Sequence, residues 1–367
     1  MNFPLSGQLS NTGLALLTLL LVFCPATAQD DGKQKNRKMV SGARQVPGDQ
    51  WKSAGHEQMT RWSKTGLSKA EAYWKTLGST ATMIVEDGSV ISAWGDIDRP
   101  VQCYSVRKSL LSTLYGIYQE KGEIDLSDTM DQLRIDDIAR LTPQEKEATV
   151  GDLLKARSGV YHGAAYETQS MKDRRPMRGS HPPGTFWYYN NWDFNALGGI
   201  FHQQTGLTVF EAFRQNIAEP VGMNDFSPED TKFVYDKESS RYPAYTFALS
   251  TRDRARFGLL CLRNGNWSGE QIIPSQWITE STTSYSKAGP GKGYGYMWWV
   301  SVDGWHFGTK FKEKPYSARG NHGQYIVVIP EMQLVVVQSV DKNAGDIIAQ
   351  EKSFNTLLKL IVAAKKK

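Results

Sequence analysis

Ser105-Val106-Arg107-Lys108-Ser109-Leu110-Leu111-Ser112-Thr113-Leu114-Tyr115-Gly116-Ile117-Tyr118 begins where a strand-like stretch gives way to an amphipathic one. Val106, Leu110, Leu114, Ile117 and Tyr118 recur at spacings of three and four, one apolar face of a helix, and Gly122 stands where a C-terminal cap belongs. Residues at i and i+3 share a face, so the helix sets the Lys108 ammonium one turn from the Ser105 hydroxyl. The helix N-terminus there favours a bound or developing anion. A serine hydroxyl is a weak nucleophile and needs a base within about 3 Å. For Lys108 to be that base its pKa has to fall from about 10.4 towards 7, a differential of roughly 4 kcal/mol that burial and neighbours must supply. The motif therefore requires a pocket; its plain alternative is an N-capping serine followed by a solvated lysine.

Ser284-Tyr285-Ser286-Lys287 and Ser339-Val340-Asp341-Lys342 have the same spacing, and context separates them. Ser284 lies in a Ser/Thr/Gly-rich loop, and Ser339 ends a Val-rich strand with its lysine in the next turn. Upstream of Ser105, residues 82–94 give two β-rich runs about Asp87-Gly88, a hairpin signal. Downstream, residues from about 125 to 265 read mainly as helices and loops, with helices at 149–154, 194–205, 207–217 and 252–262. Strands return at 294–300, 324–329 and 334–339, and an amphipathic helix closes the chain at about 346–362. This order predicts an α+β fold. An antiparallel sheet is built from the N- and C-terminal segments and flanked by helices, with a mainly helical subdomain inserted at about 125–265. A ligand pocket is expected between sheet and insertion.

With 40% apolar and 11% aromatic residues the chain can bury a sizeable core. The net charge is +5, but both signs are interspersed except at Lys365-Lys366-Lys367, so no face reads as a nucleic-acid footprint. Leu14 to Phe23 is an apolar run too short to span a bilayer, and Ala26-Thr27-Ala28 has the small-x-small form of a cleavage site. Residues 1–28 are therefore expected to be a secretory signal, 29–48 a flexible leader, and 49–367 a secreted or periplasmic domain without an integral span. Lys33, Lys35, Arg37 and Lys38 follow the apolar run and no Lys or Arg precedes it, a polarity that leaves an uncleaved anchor as the other reading.

Of three cysteines, Cys24 directly follows the apolar run within the expected signal, leaving Cys103 and Cys261, too few for a disulfide framework; two buried free thiols are the default, and the spacing alone does not decide whether they are bridged. His56-Glu57 lacks the second histidine of a zinc helix, the histidines are scattered, and no Gly-x-Ser-x-Gly elbow occurs. No metal, other cofactor or obligate protein partner is expected.

Two further stretches carry chemistry. Tyr189-Asn190-Asn191 follows the Pro183-Gly184 turn. A buried tyrosine beside an ammonium loses its proton more readily and can relay one, and the asparagine amide can fix the lysine. Gly320-Asn321-His322-Gly323 precedes the strand at 324–329. A glycine-flanked loop entering a strand can aim backbone N–H groups into a cleft, as an oxyanion hole requires. His322 reads as a polar wall or surface residue, not as the general base.

Together and in this order, the three elements resemble the serine β-lactamase and penicillin-binding-protein superfamily. The likeness is to its class C-like branch, with DD-peptidases, carboxylesterases and 6-aminohexanoate-oligomer hydrolases, and it spans about 80–362. Thr149-Val150-Gly151-Asp152 with Ser158-Gly159-Val160, Ser250-Thr251-Arg252-Asp253 with Arg256-Phe257-Gly258, and Gly293-Tyr294-Gly295-Tyr296 with Trp298-Trp299 extend it. The resemblance implies a β-lactamase/transpeptidase-like fold, Ser105 as acylated nucleophile, Lys108 and Tyr189 as acid/base partners and Asn191 as a positioning group. It further implies an oxyanion hole from the Ser105 N–H and one at Asn321 or His322. Penicillin-recognising members usually carry Lys-Thr-Gly or His-x-Gly where this chain has Gly320-Asn321-His322-Gly323. Lys64-Thr65-Gly66 precedes the serine and is a decoy. The expected activity is hydrolysis of a small ester, amide or peptide through an acyl-enzyme. The alternatives are a β-lactamase or DD-peptidase, and a non-catalytic domain that binds cell-wall fragments or a partner.

Overall fold

The computed structural model describes residues 46–343 and 351–366. The expected signal at 1–28, leader residues 29–45 and the start of the closing helix at 346–350 lie outside them. In chain order the elements that position the cleft are α1 (Lys64–Trp74), β1 (Ala81–Glu86), β2 (Ser89–Gly95), β3 (Val101–Gln102) and α2 (Val106–Glu120). There follow α3 (Asn191–Thr205), β4 (Thr231–Val234), β5 (Ala244–Leu249), α4 (Thr251–Leu262), β6 (Ser286–Gly289), β7 (Lys292–Tyr294) and β8 (Trp299–Ser301). The chain closes with β9 (Tyr316–Gly320), β10 (Gln324–Ile329), β11 (Leu334–Ser339) and α5 (Glu351–Ala364).

Strands β1, β10 and β11 are apolar runs with little alternation and are buried throughout, which requires cover on both faces of a sheet. They form the centre of an eight-stranded antiparallel sheet ordered β2-β1-β11-β10-β9-β8-β7-β6. Met83, Val85, Ile326, Val328, Val335 and Val337 join the core that includes α2 and α4. Ile84, Val327, Ile329, Leu334 and Val336 join the one that includes α1 and α5. The first and last strands among the described residues are neighbours, with Ala81 opposite Ser339. The hairpin expected at Asp87-Gly88 is present, both residues at positive φ (45° and 84°) as a tight two-residue turn demands.

The structure differs from the sequence reading at five points. The mainly helical segment at 125–265 also contains a strand that the sequence reading did not name, Ala244-Tyr245-Thr246-Phe247-Ala248-Leu249, in the small sheet β3-β5-β4. Its nearly uniform burial removes the alternation that would have marked it. Helix α4 packs on the main sheet rather than in the insertion, so closely that a Cβ on Gly258 would lie 2.5 Å from Val335. Residues 294–300 are not one strand, because the chain turns at Gly295-Tyr296-Met297 and returns with Tyr294 opposite Trp299. The helix expected at 207–217 is an α-turn, Val209–Phe213, continued by the π-helical turn Arg214–Ala218. Leader residues 46–48 belong to the folded body: Val46 packs on the core, and Arg256 donates to the Gly48 carbonyl at 2.6 Å. Among the described residues no helix is long and apolar enough to cross a membrane.

Candidate active site

Helix α2 carries one apolar face by its spacing, yet it is buried on every side from Val106 to Tyr118, Arg107 and Lys108 included. It runs through the middle of the molecule, so its polar groups find partners inside. Ser109 donates to the Met297 carbonyl at 2.8 Å and Tyr115 to the Leu197 carbonyl at 2.7 Å. Gly122, at φ 74°, follows the helix as expected.

Ser105 opens this helix, and its side chain caps no backbone N–H. Its Oγ lies 2.9 Å from Lys108 Nζ, which excludes the plain N-cap and solvated-lysine alternative. Lys108 Nζ also donates to Tyr189 Oη at 2.7 Å and Asn191 Oδ1 at 2.9 Å, and sits 4.2 Å and 4.5 Å from the ring centres of Tyr189 and Phe194. Burial, reinforced by the neighbouring Arg107 charge, lowers the Lys108 pKa well below the usual lysine value. Burial pushes the Tyr189 phenol up to about 12, opposed by its contact with Ser105 and by Arg107. A neutral lysine has two N–H donors and one lone pair. Donation to Tyr189 and Asn191 leaves that lone pair for the Ser105 proton.

The residues beside the tyrosine motif turn elsewhere. Tyr188 Oη donates to the Met171 carbonyl, and Asn190 caps α3 while its amide reaches the Val160 carbonyl at 2.6 Å and Asp193 Oδ1 at 2.9 Å. Asn191 Nδ2 donates to the Tyr166 carbonyl at 2.7 Å, tying the lysine to the loop opposite.

The third motif arrives on β9. Gly320 packs against the start of α2, and a Cβ there would lie 2.4 Å from the Cys103 carbonyl and 3.2 Å from the Ser105 amide nitrogen. The His322 N–H is occupied by Asn321 Oδ1 at 3.0 Å. Of the two sequence candidates, His322 is therefore the one whose N–H is already engaged. The His322 side chain is exposed, its ring 4.9 Å from that of Tyr104, and Gly323 is buried at the start of β10. Lys64-Thr65-Gly66 is the first turn of α1, capped by Ser63, and takes no part in the cleft.

Ser105, Tyr189, Asn191 and Gly320 to Gly323 border a cleft of about 1180 Å³ walled by aromatic side chains, among them Tyr104, Tyr166, Trp187 and Trp299. Two features escaped sequence reasoning. Tyr104 adopts φ 48°, rare for a bulky residue, and stacks on Tyr166 at 6.4 Å at the cleft wall. Arg319, the residue before Gly320, also borders the cleft, held by Glu351 at 3.2 Å and Ser317 at 2.9 Å. Its signal was an arginine directly before the third motif.

A hydroxyl against a buried amine, beside a neutral phenol and backbone donors in an aromatic cleft, is the equipment of a serine hydrolase. The family model for "Beta-lactamase" matches residues 68–352, and the chain belongs to that family. It is similar over 191 residues, at 26% identity, to a D-aminopeptidase of Brucella anthropi; the match covers 44% of this chain and 36% of that protein. In structure it resembles a Bacillus anthracis protein named as a 6-aminohexanoate-dimer hydrolase (TM-score 0.62, 19% identity, 86% and 87% of the two chains). It also resembles the octameric penicillin-binding protein homologue of Pyrococcus abyssi (0.62, 22%, 82% and 78%) and a class C beta-lactamase (0.60, 13%, 86% and 99%). At these identities the structural likeness establishes the β-lactamase/transpeptidase-like α+β fold. The family and its relatives make the chain serine-hydrolase-like.

Proposed function

We propose that the protein hydrolyses a small ester or amide through an acyl-enzyme on Ser105. The observation that carries this is the 2.9 Å contact between Ser105 Oγ and a Lys108 amine whose burial disfavours its charge. Ser105 Oγ attacks the substrate carbonyl carbon while its proton passes to Lys108 Nζ, and the carbonyl electron pair moves to oxygen. The N–H groups of Ser105 and Asn321 receive that oxyanion, and Gly320 permits their approach. Tyr189, a neutral phenol near pH 7, gives a proton to the departing alkoxide or amine and is reprotonated from Lys108. Asn191 holds Lys108 in place. A water then attacks the ester carbonyl, its proton taken by the same pair, and the acid leaves with Ser105 restored.

The test is p-nitrophenol release from a short-chain ester by residues 29–367, compared with Ser105→Ala, together with intact mass after brief exposure to substrate. Turnover and an acyl adduct that both vanish in the variant support the reading; equal rates in both proteins refute it.

A second reading, hydrolysis of β-lactams or D-amino-acid peptides, is favoured by Arg319, which brings a cation to the third motif despite the missing Lys-Thr-Gly. Its guanidinium is already engaged by Glu351, which weighs against it. Rapid nitrocefin turnover would move the assignment there. Stoichiometric ligand binding unaffected by Ser105→Ala, without turnover, would favour the non-catalytic alternative. The run Leu14–Phe23 with Ala26-Thr27-Ala28 supports export; the N-terminal residue of protein recovered from outside the cytoplasm tests cleavage after Ala28.

A further inference from the structure

Two consecutive basic residues on α2, Arg107 and Lys108, are both buried. They meet two asparagines one turn apart on α3. Lys108 donates to Asn191 Oδ1 at 2.9 Å and Arg107 Nη2 to Asn195 Oδ1 at 3.1 Å. Each asparagine turns its amide N–H₂ to the loop opposite, Asn191 to the Tyr166 carbonyl at 2.7 Å and Asn195 to the Ala165 carbonyl at 3.1 Å. The amide positions, and hence the oxygens that face the cations, are fixed by those carbonyls.

Arg107 is 1% exposed, and its Nε and Nη1 are buried without a hydrogen-bond partner. Its guanidinium lies 4.4 Å from the ring centre of Tyr245 and 6.0 Å from that of Tyr166. Among the described residues no carboxylate makes a hydrogen bond or ion pair with Arg107 or Lys108. The titratable groups beside the pair are the phenols Tyr166, Tyr189 and Tyr245; Tyr294 packs on Tyr189, and the carboxyl of Asp193 stands on α3 in the turn between the two asparagines. That carboxyl is held between Ser158 and Asn190, and burial drives it towards its neutral form. A buried arginine without an anion is costly and is ordinarily paired. Burial of a guanidinium by neutral amides and aromatic faces preserves its charge and leaves its field unneutralised at the next residue.

We infer that Arg107 is a positioning residue that acts through Lys108: a permanent buried charge, kept without an anionic partner, that holds its neighbour in the neutral form able to accept the serine proton. The asparagine pair is what keeps the region free of carboxylate, since an aspartate at 191 or 195 would restore the lysine proton. This inference rests on the reading of Lys108 as the base. Its physical basis is the one by which a lysine beside a second cation becomes nucleophilic near neutral pH.

The experiment is the pH dependence of kcat/KM for p-nitrophenyl ester hydrolysis by the full chain and by Arg107→Met, Arg107→Lys, Asn195→Asp and Lys108→Ala, with thermal unfolding as the folding check. Removing the charge in Arg107→Met, or neutralising it in place in Asn195→Asp, should move the acid limb up by about one pH unit. Arg107→Lys should leave it near its original position. A structural role alone would lower the plateau without moving the limb. An unmoved limb in folded Arg107→Met and Asn195→Asp overturns the inference; should Arg107→Met fail to fold, Asn195→Asp alone decides. Lys108→Ala separates the two levels. Activity lost there with unmoved limbs elsewhere faults only the role of Arg107, whereas undiminished activity faults the base assignment itself.

Discussion

Gly320 approaches Ser105 so closely that a single added carbon would lie 3.2 Å from the serine amide nitrogen and 2.4 Å from the carbonyl of Cys103. The end of β9 and the start of α2 thus touch backbone to backbone, with no side chain between. Gly320→Ala must push the two apart at the position where an oxyanion would be held. Loss of one such donor typically costs about a hundredfold in rate or more, and the clash itself about 1–3 kcal/mol of stability. The expected result is a folded protein with its kcat reduced by about two orders of magnitude. Near-native kcat in Gly320→Ala would mean that the second donor comes from elsewhere.

Lys108→Ala and Tyr189→Phe are each expected to lower ester turnover by about two orders of magnitude or more. Neither should unfold the protein, because Tyr189→Phe keeps the ring packed against Trp299 and Lys108→Ala removes a costly buried amine. Steady-state kinetics beside circular dichroism checks this, and native-like rates from either variant would reassign the roles.

His162 supplies a pH prediction away from the cleft. Its ring nitrogens lie 3.9 Å from Asp137 Oδ2 and 3.6 Å from Glu145 Oε1, all three side chains buried. Burial opposes the imidazolium, but the two carboxylates outweigh it and raise the His162 pKa above its usual value. Glu145 is itself drawn down to about 2 by His162 and Arg178 against the cost of burial. A raised histidine stabilises the fold fully below its unfolded pKa of about 6.5 and loses that contribution as pH rises through the folded value. A lowered carboxylate stabilises above its unfolded pKa of about 4.3 and loses that contribution as pH falls towards 2. Buried Lys108, whose pKa burial lowers, acts in the opposite sense, favouring the fold as pH rises, so the comparison has to be made between variants. The Tm advantage of the wild type over His162→Gln should be largest near pH 5–6 and shrink by about 2 °C or more towards pH 9. An advantage that is flat across that range would show that His162 is packed neutral.

Cys103 and Cys261 are free, fully buried thiols, and burial raises the pKa of both. Thiolate is the reactive form, so neither should label with a thiol-specific disulfide reagent in the native protein. Both should react once it is unfolded. Labelling of Cys103 in the native state would require α2 to open at its N-terminus, and with it the site.

The parts of this fold legible from sequence are those with local causes. The hairpin at Asp87-Gly88 follows from turn chemistry, and the Ser105 helix and strands at 324–329 and 334–339 follow from periodicity and apolar runs. Ser105, Lys108, Tyr189 and Asn191 converge at hydrogen-bonding distance although 81 residues separate Lys108 from Tyr189 along the chain. What sequence reasoning missed depends on partners remote in the chain. Ala244–Leu249 is a strand because Val101 and Thr231 lie on either side of it. Residues 294–300 turn back where the Tyr296 N–H bonds the Ser281 carbonyl at 2.9 Å and the Met297 N–H the Leu154 carbonyl at 3.0 Å. Arg107 reads as a spacer within Ser-x-x-Lys, and only the position of Asn195 on a distant helix shows it to be buried.

The pairing of Ala81 with Ser339 has a bearing on how the molecule is made. The hairpin of β1 and β2 leaves a ribosome early but cannot complete its sheet until β11 follows it, and contacts so distant in sequence form slowly. The strand that delivers Gly320 to Ser105 comes from the same late stretch. A nascent chain halted before residue 316 already contains Ser105, Lys108, Tyr189 and Asn191, yet has nothing with which to back the serine. Assembly of the candidate site thus waits for a strand made long after the Ser105 helix, and a fragment without β9 carries the side chains of the proposed machinery without the backbone that faces them.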